Sequence, residues 1–299
     1  MEIAIIGAGA TGLLYAHQLA NIFRVKIYCK REEQRNLIHK EGVTLIDGEQ
    51  IMNKKIKVEL FSDETEINED VLIITAKQYS LESIIRNLKK YQNKTILFLQ
   101  NGMNHITYFH ELQQNKIFVG VIEHGAKKEN DTTVYLTGKG LTNVAPYNEH
   151  HTSLFFENWD SKLKDFPIVM EKQWYPILAK KLIVNAVINP LTALYKVENG
   201  KLLSNKNYLI TMETIFNEAF SILNVGKKEE MWNHVTKICT STSKNHSSML
   251  RDMETGKKTE VDAILGYLLQ EGKKAKKELP VIHFVYHALK GMENVRMNE

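Results

Sequence analysis

The sequence predicts an α/β first half built on a parallel sheet, followed by an all-helical second half. Three observations carry that expectation. Short continuous apolar runs at 71–76 (VLIITA) and 95–99 (TILFL) are what strands covered on both faces require, and 1–6 and 117–123 (IFVGVIE) read as further short strands. A glycine turn, Gly7-Ala8-Gly9-Ala10-Thr11-Gly12, joins the strand at 1–6 to a helical pattern. From Gln173 nearly to the end the spacing of apolar residues is helical.

The turn is a GxGxxG in the context that gives it meaning, between a strand and a helix. Gly7 permits the tight bend, Gly9 lets the backbone approach a pyrophosphate, and Gly12 lets helix and strand pack closely. The helix start then offers unpaired N–H groups to phosphates. The next strand, 24–29, ends in Lys30-Arg31. A dinucleotide site for NAD usually has an acid here, whereas a cation suits a 2′-phosphate, so NADP(H) is the expected cofactor. Residues 42–61 read as an antiparallel insertion with a hairpin turn at Asp47-Gly48. Lys77 follows the strand at 71–76 and Asn101 follows the one at 95–99, both at the edge where such sheets bind ligands. The strand at 117–123 leads to His124-Gly125-Ala126, and two late strands, 134–136 and 141–145, flank a turn at 138–140.

Character changes near Pro167, which sets the expected domains at 1–167 and 168–299. Helices are expected at 173–189, 205–224, 227–241, 245–254, 259–275 and 280–295. No flexible tether separates the halves, so the ligand site is expected in a cleft between them.

One helix stands out. In KKLIVNAVINPLTA (180–193), Lys181, Asn185 and Asn189 recur at i, i+4 and i+8, while the residues between them are apolar. That places an amine and two amides on one stripe of a helix that is otherwise oily and hence buried. Burying such groups without partners costs roughly 2–7 kcal/mol each, so the stripe should be hydrogen-bonded, wet, or facing a polar ligand. Pro190 should bend or end the helix. Farther on, 245–252 (NHSSMLRD) reads as a polar loop entering a helix. Thr259-Glu260 opens another, with Val261, Ile264, Leu265 and Leu268 as its apolar face.

Composition narrows the function classes. Formal net charge over 299 residues is 39 − 35 = +4, with lysines scattered rather than clustered, so no nucleic-acid partner is expected. Cys29 and Cys239 are too few and too distant for a disulfide framework, which fits a reducing cytoplasm. The apolar N-terminus has no cationic lead and is broken by glycines, so it is not expected to be a signal peptide, and no run of eighteen apolar residues suggests a membrane span. The histidines are read as offering no metal-ligand spacing, and no metal is expected.

Taken together, GAGATG (7–12), AK (76–77), QNGM (100–103), KLIVNAVINPLTAL (181–194), NG (199–200), NHSSMLRD (245–252) and TEVD (259–262) resemble the 2-dehydropantoate 2-reductase, or ketopantoate reductase, family over nearly the whole chain. The resemblance implies an N-terminal Rossmann-type domain and a helical C-terminal domain. It also implies NADPH as reductant and reduction of a 2-oxo acid to (R)-pantoate in the pantothenate and coenzyme A route. It assigns Lys181 as the catalytic lysine, with Glu260 near enough to the reacting centre to affect catalysis. Asn185, Asn189, Asn199 and Ser248 become substrate contacts, and Asn101 is shared by cofactor and substrate. Lys77, Ala126 and Glu260 fall on the cofactor side with Gly7, Ala8, Gly9, Ala10, Thr11 and Gly12, and Lys30 or Arg31 takes the 2′-phosphate. The chain departs from the family pattern at Leu265, where an amide is common, and at Tyr195-Lys196, where a small or apolar pair is common. These departures keep a different 2-oxo acid open as substrate, beside the more distant reading of a non-catalytic NADP(H) sensor. The assembly is left open between monomer and homodimer.

Overall fold

The structure is a computed structural model that describes residues 1–148 and 153–297. It forms two compact units, one of residues 1–100 and 105–177, the other of 101–104 and 178–299.

In the first unit β1 (Glu2–Ile6) runs through the glycine turn into α1 (Ala10–Leu19), followed by β2 (Arg24–Cys29) and α2 (Glu32–Glu41). Then come β3 (Val43–Asp47), β4 (Gln50–Lys54), β5 (Lys57–Leu60), β6 (Val71–Ile74), α3 (Leu81–Leu88), β7 (Thr95–Phe98) and β8 (Lys116–Ile122). The unit closes with β9 (Gly125–Lys128), β10 (Thr133–Gly138), β11 (Thr142–Pro146), α4 (Leu154–Lys162) and β12 (Ile168–Met170). The large sheet has the order β12-β11-β8-β7-β6-β1-β2-β5. From β8 to β5 all neighbours are parallel. Strand order reverses at β1, which pairs β2 on one side and β6 on the other, so the glycine turn leaves the sheet at its switch point. Residues of β6 and β7 are buried throughout, which explains why they are apolar apart from Thr95.

A second sheet, β4-β3-β10-β9, corrects two expectations. The hairpin at Asp47-Gly48 forms, but residues 57–60 do not belong with it: β5 pairs in parallel with β2 at the edge of the large sheet. The two late strands also part company, since β10 pairs with β3 and β9 while β11 runs antiparallel to β8. Local patterning fixes a strand's period but not its partner. The first compact unit runs to Ile177, because β12 joins β11 and the opening turn of the next helix stays with it.

The second unit is helical: α5 (Trp174–Tyr195), α6 (Lys201–Ser204), α7 (Lys206–Leu223), α8 (Lys228–Ser241), α9 (Ser248–Glu254), a π-helical stretch at Asp262–Gly266, α10 (Tyr267–Lys274) and α11 (Pro280–Met297). Asn205 Oδ1 starts α7 by accepting from the Asn207 and Tyr208 amides. The Glu218 carboxylate does the same for α11 through Val281 and Ile282. Val261, Ile264, Leu265 and Leu268 are buried as their spacing implies.

Helix α5 does not stop at Pro190 but continues to Tyr195. A proline inside a helix costs about 3 kcal/mol. Here Leu191 and Ala193 beyond it are buried, and Thr192 Oγ1 donates toward the carbonyls of Ile188 (2.9 Å) and Asn189 (3.0 Å). Burial of Leu191 alone offsets roughly 1.5–3 kcal/mol. By length and composition α5 could cross a membrane, yet 72% of its most apolar window is buried inside the protein. The histidine reading also needs correction: His283 and His287 do stand one turn apart on α11, rings 4.5 Å apart. Among the described residues no group of three His, Cys, Asp or Glu forms around them.

Three other histidines are buried in the first unit. Burial pushes His105 down to about 3 and His124 to about 4, and burial together with the Lys54 charge pushes His17 to about 4. The folded chain therefore holds these protons less tightly than the unfolded chain, whose histidines titrate near 6.5. Their contribution is intact above that pH and is lost as pH falls toward 4, each histidine costing up to about 1.4 kcal/mol per pH unit. The urea midpoint should fall steadily between pH 7 and pH 5, before most carboxylates titrate; a level midpoint across that window contradicts the burial of neutral imidazoles.

Candidate functional site

In the first unit the site is built around the glycine turn. Gly7 has φ +118°, and a Cβ on it would lie 2.6 Å from the Ala76 amide nitrogen. At Gly12 a Cβ would lie 1.8 Å from the Gly7 carbonyl oxygen. At Gly9 a Cβ would meet nothing within 4 Å. So two glycines are demanded by the protein's own packing, while the third faces open space. The turn is pinned by Gly7 N–H donating to Tyr28 O (2.9 Å) and by Thr75 Oγ1 donating to Gly7 O (2.8 Å). Gly9 caps α1 without a side-chain acceptor, and the first turn carries no acid. That arrangement of bare backbone amides at a helix start, with room above it, fits the pyrophosphate of a dinucleotide. Ala8, Ala10 and Thr11 are the remaining residues of the cradle, Ala8 buried and the other two half-buried.

Lys30 and Arg31 follow β2 as expected, and both are exposed. They differ in partners. Arg31 donates to Asp131 Oδ1, and Lys128 Nζ donates to the same oxygen at 2.7 Å. Lys30 forms no ion pair or hydrogen bond among the described residues. Burial pushes the Asp131 carboxyl up, but the bonds from Lys128 and Arg31 outweigh it and hold it below the usual range. Lys77 stands half-buried three residues beyond β6, and Ala126 is half-buried in β9 opposite Leu136. Two residues have roles that the sequence does not assign, although Gln100 lies within the QNGM motif. Gln100, buried, donates to Ile74 O (2.8 Å) and Ala76 O (2.9 Å), tying the ends of β6 and β7 together. Gln34, also buried, donates to Ala8 O (2.8 Å) and Asp131 O (3.0 Å). Neither carries a local signal, since each acts on backbone far away in sequence.

The second unit carries the other candidates. On α5, Lys181 and Asn189 are half-buried and Asn185 is buried at 7% exposure. The Asn185 amide forms no hydrogen bond to another described residue. Asn189 Nδ2 lies 3.5 Å from the hydroxyl of exposed Ser248, and Thr192 Oγ1 reaches Ser247 Oγ at 2.8 Å. Ser247 in turn caps α9 by accepting from Leu250 N–H (3.1 Å). These bonds join the end of the stripe to Ser248. Asn199 is also buried, and its orientation is fixed chemically. Thr242 spends its one proton on Ile238 O (2.7 Å), so it accepts from Asn199 Nδ2 (2.9 Å). That leaves Asn199 Oδ1 buried without a donor. Asn101, which belongs to this unit, donates through Nδ2 to Glu260 Oε2 at 2.9 Å. Glu260 sits just before the π-helical stretch, a rare geometry that often marks functional sites. The structure thus brings together Asn101 with Glu260, and Asn189 with Ser248, while Asn185 and Asn199 each present an amide with unused capacity.

Residues 3–149 match the model of "Ketopantoate reductase PanE/ApbA", and residues 173–293 match that of its C-terminal domain. The chain belongs to the ketopantoate reductase family. A 2-dehydropantoate 2-reductase of Bacillus subtilis is 39% identical over 299 residues, covering 98% of both chains. The crystal structure of the probable enzyme from the same organism superposes with a TM-score of 0.87 at 38% identity, over 98% of this chain and 100% of that one. A D-mandelate dehydrogenase holding NADH and anilino(oxo)acetate shares the fold (TM-score 0.90, 21% identity, 99% of each chain). So does a dimeric ketopantoate reductase of Staphylococcus aureus (TM-score 0.81, 19% identity, 99% and 100%). The two departures from the family pattern now have places in the fold: Leu265 is fully buried in the π-helical stretch, and Tyr195 stacks on Tyr208 at 4.1 Å.

The three glycines should separate in a mutational test. Gly9→Ala should melt within about 2 °C of wild type but weaken NADPH at least about tenfold, since the methyl occupies the open face of the cradle. Gly12→Ala should lower both melting temperature and NADPH affinity. Thermal melts with fluorescence titration check this, and wild-type affinity in Gly9→Ala contradicts the cradle.

Proposed function

We propose that this chain reduces ketopantoate to pantoate with NADPH, and that Lys181 and Glu260 are its catalytic residues. The observation that carries the reading is the α5 stripe of a family member. An amine and two amides face one way on a buried helix, and the most buried amide, Asn185, has no hydrogen-bond partner among the described residues. The Asn185 amide thus keeps hydrogen-bonding capacity that a ligand's polar groups can use.

The backbone of residues 7–12 would hold the pyrophosphate and Lys30 and Arg31 the 2′-phosphate, with Lys77, Ala126 and Asn101 completing the cofactor side. When bound, NADPH supplies the hydride, and the chain orients and stabilises. Lys181 stabilises the negative charge that grows on the carbonyl oxygen and gives that oxygen a proton from Nζ, later replaced from solvent. Glu260 fixes the Asn101 amide by accepting from its Nδ2, so that Asn101 Oδ1 is the atom left to engage a ligand. Asn185, Asn189 and Ser248 supply donors suited to a carboxylate. Asn199 Oδ1 is a buried acceptor in want of a donor, which favours a 2-oxo acid that also carries a hydroxyl. A homodimer is part of this reading, supported by the dimeric relative from S. aureus. A reducing, cytoplasmic location is supported by two buried free thiols, Cys29 and Cys239.

NADPH oxidation measured over a panel of 2-oxo acids tests the substrate, with ketopantoate expected to give the highest kcat/KM and a better non-hydroxylated acid contradicting the choice. Lys181→Ala should keep NADPH binding and lose at least about tenfold in kcat. Full turnover in that variant removes Lys181 from the chemistry. Changing Lys30 and Arg31 together to Ala should weaken NADPH far more than NADH, and equal losses would show that these cations do not read the 2′-phosphate.

A further inference from the structure

Two cations in the first unit converge on one carboxylate oxygen beside the glycine turn. Arg31 and Lys128 (2.7 Å) both donate to Oδ1 of Asp131. The backbone carbonyl of the same aspartate accepts from buried Gln34, whose amide also binds Ala8 O in the turn. A single side-chain amide therefore spans the distance from the cradle to Asp131. The loop is stiff in its own right, because Asn130 Oδ1 accepts from Thr132 N–H (2.9 Å) and Thr133 N–H (2.8 Å). Glu33 lies farther out, 3.8 Å from Arg31, at an exposed position. Two cationic donors that meet at one carboxylate oxygen can equally donate to an oxygen of a phosphate.

We infer that Asp131 is a specificity-determining residue for the cofactor, an internal counter-ion that a 2′-phosphate replaces, and that Lys128 joins Arg31 as a phosphate-binding cation. This rests on the reading that the end of β2 takes the 2′-phosphate. The Asp131 charge then opposes a phosphate of charge about −1.5 to −2, while a cofactor lacking that phosphate leaves the ion pairs in place. Asp131 keeps Arg31 and Lys128 oriented and neutralised, and at the same time limits how strongly the site prefers NADPH.

Fluorescence titration of the full chain with NADPH and with NADH tests this. Asp131→Asn keeps an acceptor for both cations and removes the charge. It should tighten NADPH about three- to tenfold, by Coulomb interaction over several ångströms of wet surface, with NADH changed less than about twofold. Lys128→Met should weaken NADPH at least about threefold and NADH less than about twofold. The NADH titration reports whether each variant keeps its fold, and either variant alone decides. An unchanged or lowered NADPH preference in Asp131→Asn, or an unchanged one in Lys128→Met, overturns the inference. If Lys30 and Arg31 changed together to Ala lower the preference while these two variants do not, only this inference fails. If that double variant leaves the preference untouched, the underlying cofactor reading fails with it.

Discussion

A polar stripe on a buried helix is the constraint from which the rest of this molecule follows. Asn185 lies among Leu182, Ile183, Val184, Ala186 and Val187, all buried, and its amide finds no hydrogen-bond partner among the described residues. Evolution toward stability alone would replace it with an apolar residue. The helix that carries it is held by its other faces, strongly enough that Pro190 does not end it. That suits the proposed site: an apolar support carrying three polar side chains, of which Asn185 keeps hydrogen-bonding capacity unused by the described residues.

The first unit applies the same logic with backbone instead of side chains. Gly7 and Gly12 are fixed by contacts that allow no Cβ, and the consequence is that Gly9 and the start of α1 present bare amides to open space. Sheet order makes this possible, because the turn leaves β1 where its neighbours β2 and β6 diverge. Charge completes the pattern. After β2, Arg31 meets Asp131 of the loop before β10, and Lys128 at the end of β9 bonds the same carboxylate oxygen.

Much of this was legible in the sequence, for identifiable reasons. Strand β6 is wholly apolar and β7 is apolar after Thr95 because both faces are covered, and the stripe at 181, 185 and 189 follows from helical periodicity alone. What was not legible depends on partners distant in the chain. The parallel pairing of β5 with β2 and the separation of β10 from β11 are choices that a local period does not encode. Gln34, Lys128 and Asp131 are ordinary surface-type residues until the fold brings position 131 to position 31. The run of α5 past Pro190 reflects burial of Leu191 and Ala193 overriding a local breaker. The short helix α6 has too few residues to show a period.

The most direct test of the stripe is to make it apolar where it is most buried. Asn185→Leu should keep the melting temperature of the ligand-free protein at or above that of wild type, because no hydrogen bond to a described residue is lost and apolar area is added, and should abolish the further rise that ketopantoate gives in the presence of NADP+. A variant that melts lower than wild type yet keeps that ligand-induced rise would contradict the account, because Asn185 would then be serving the fold and not the site.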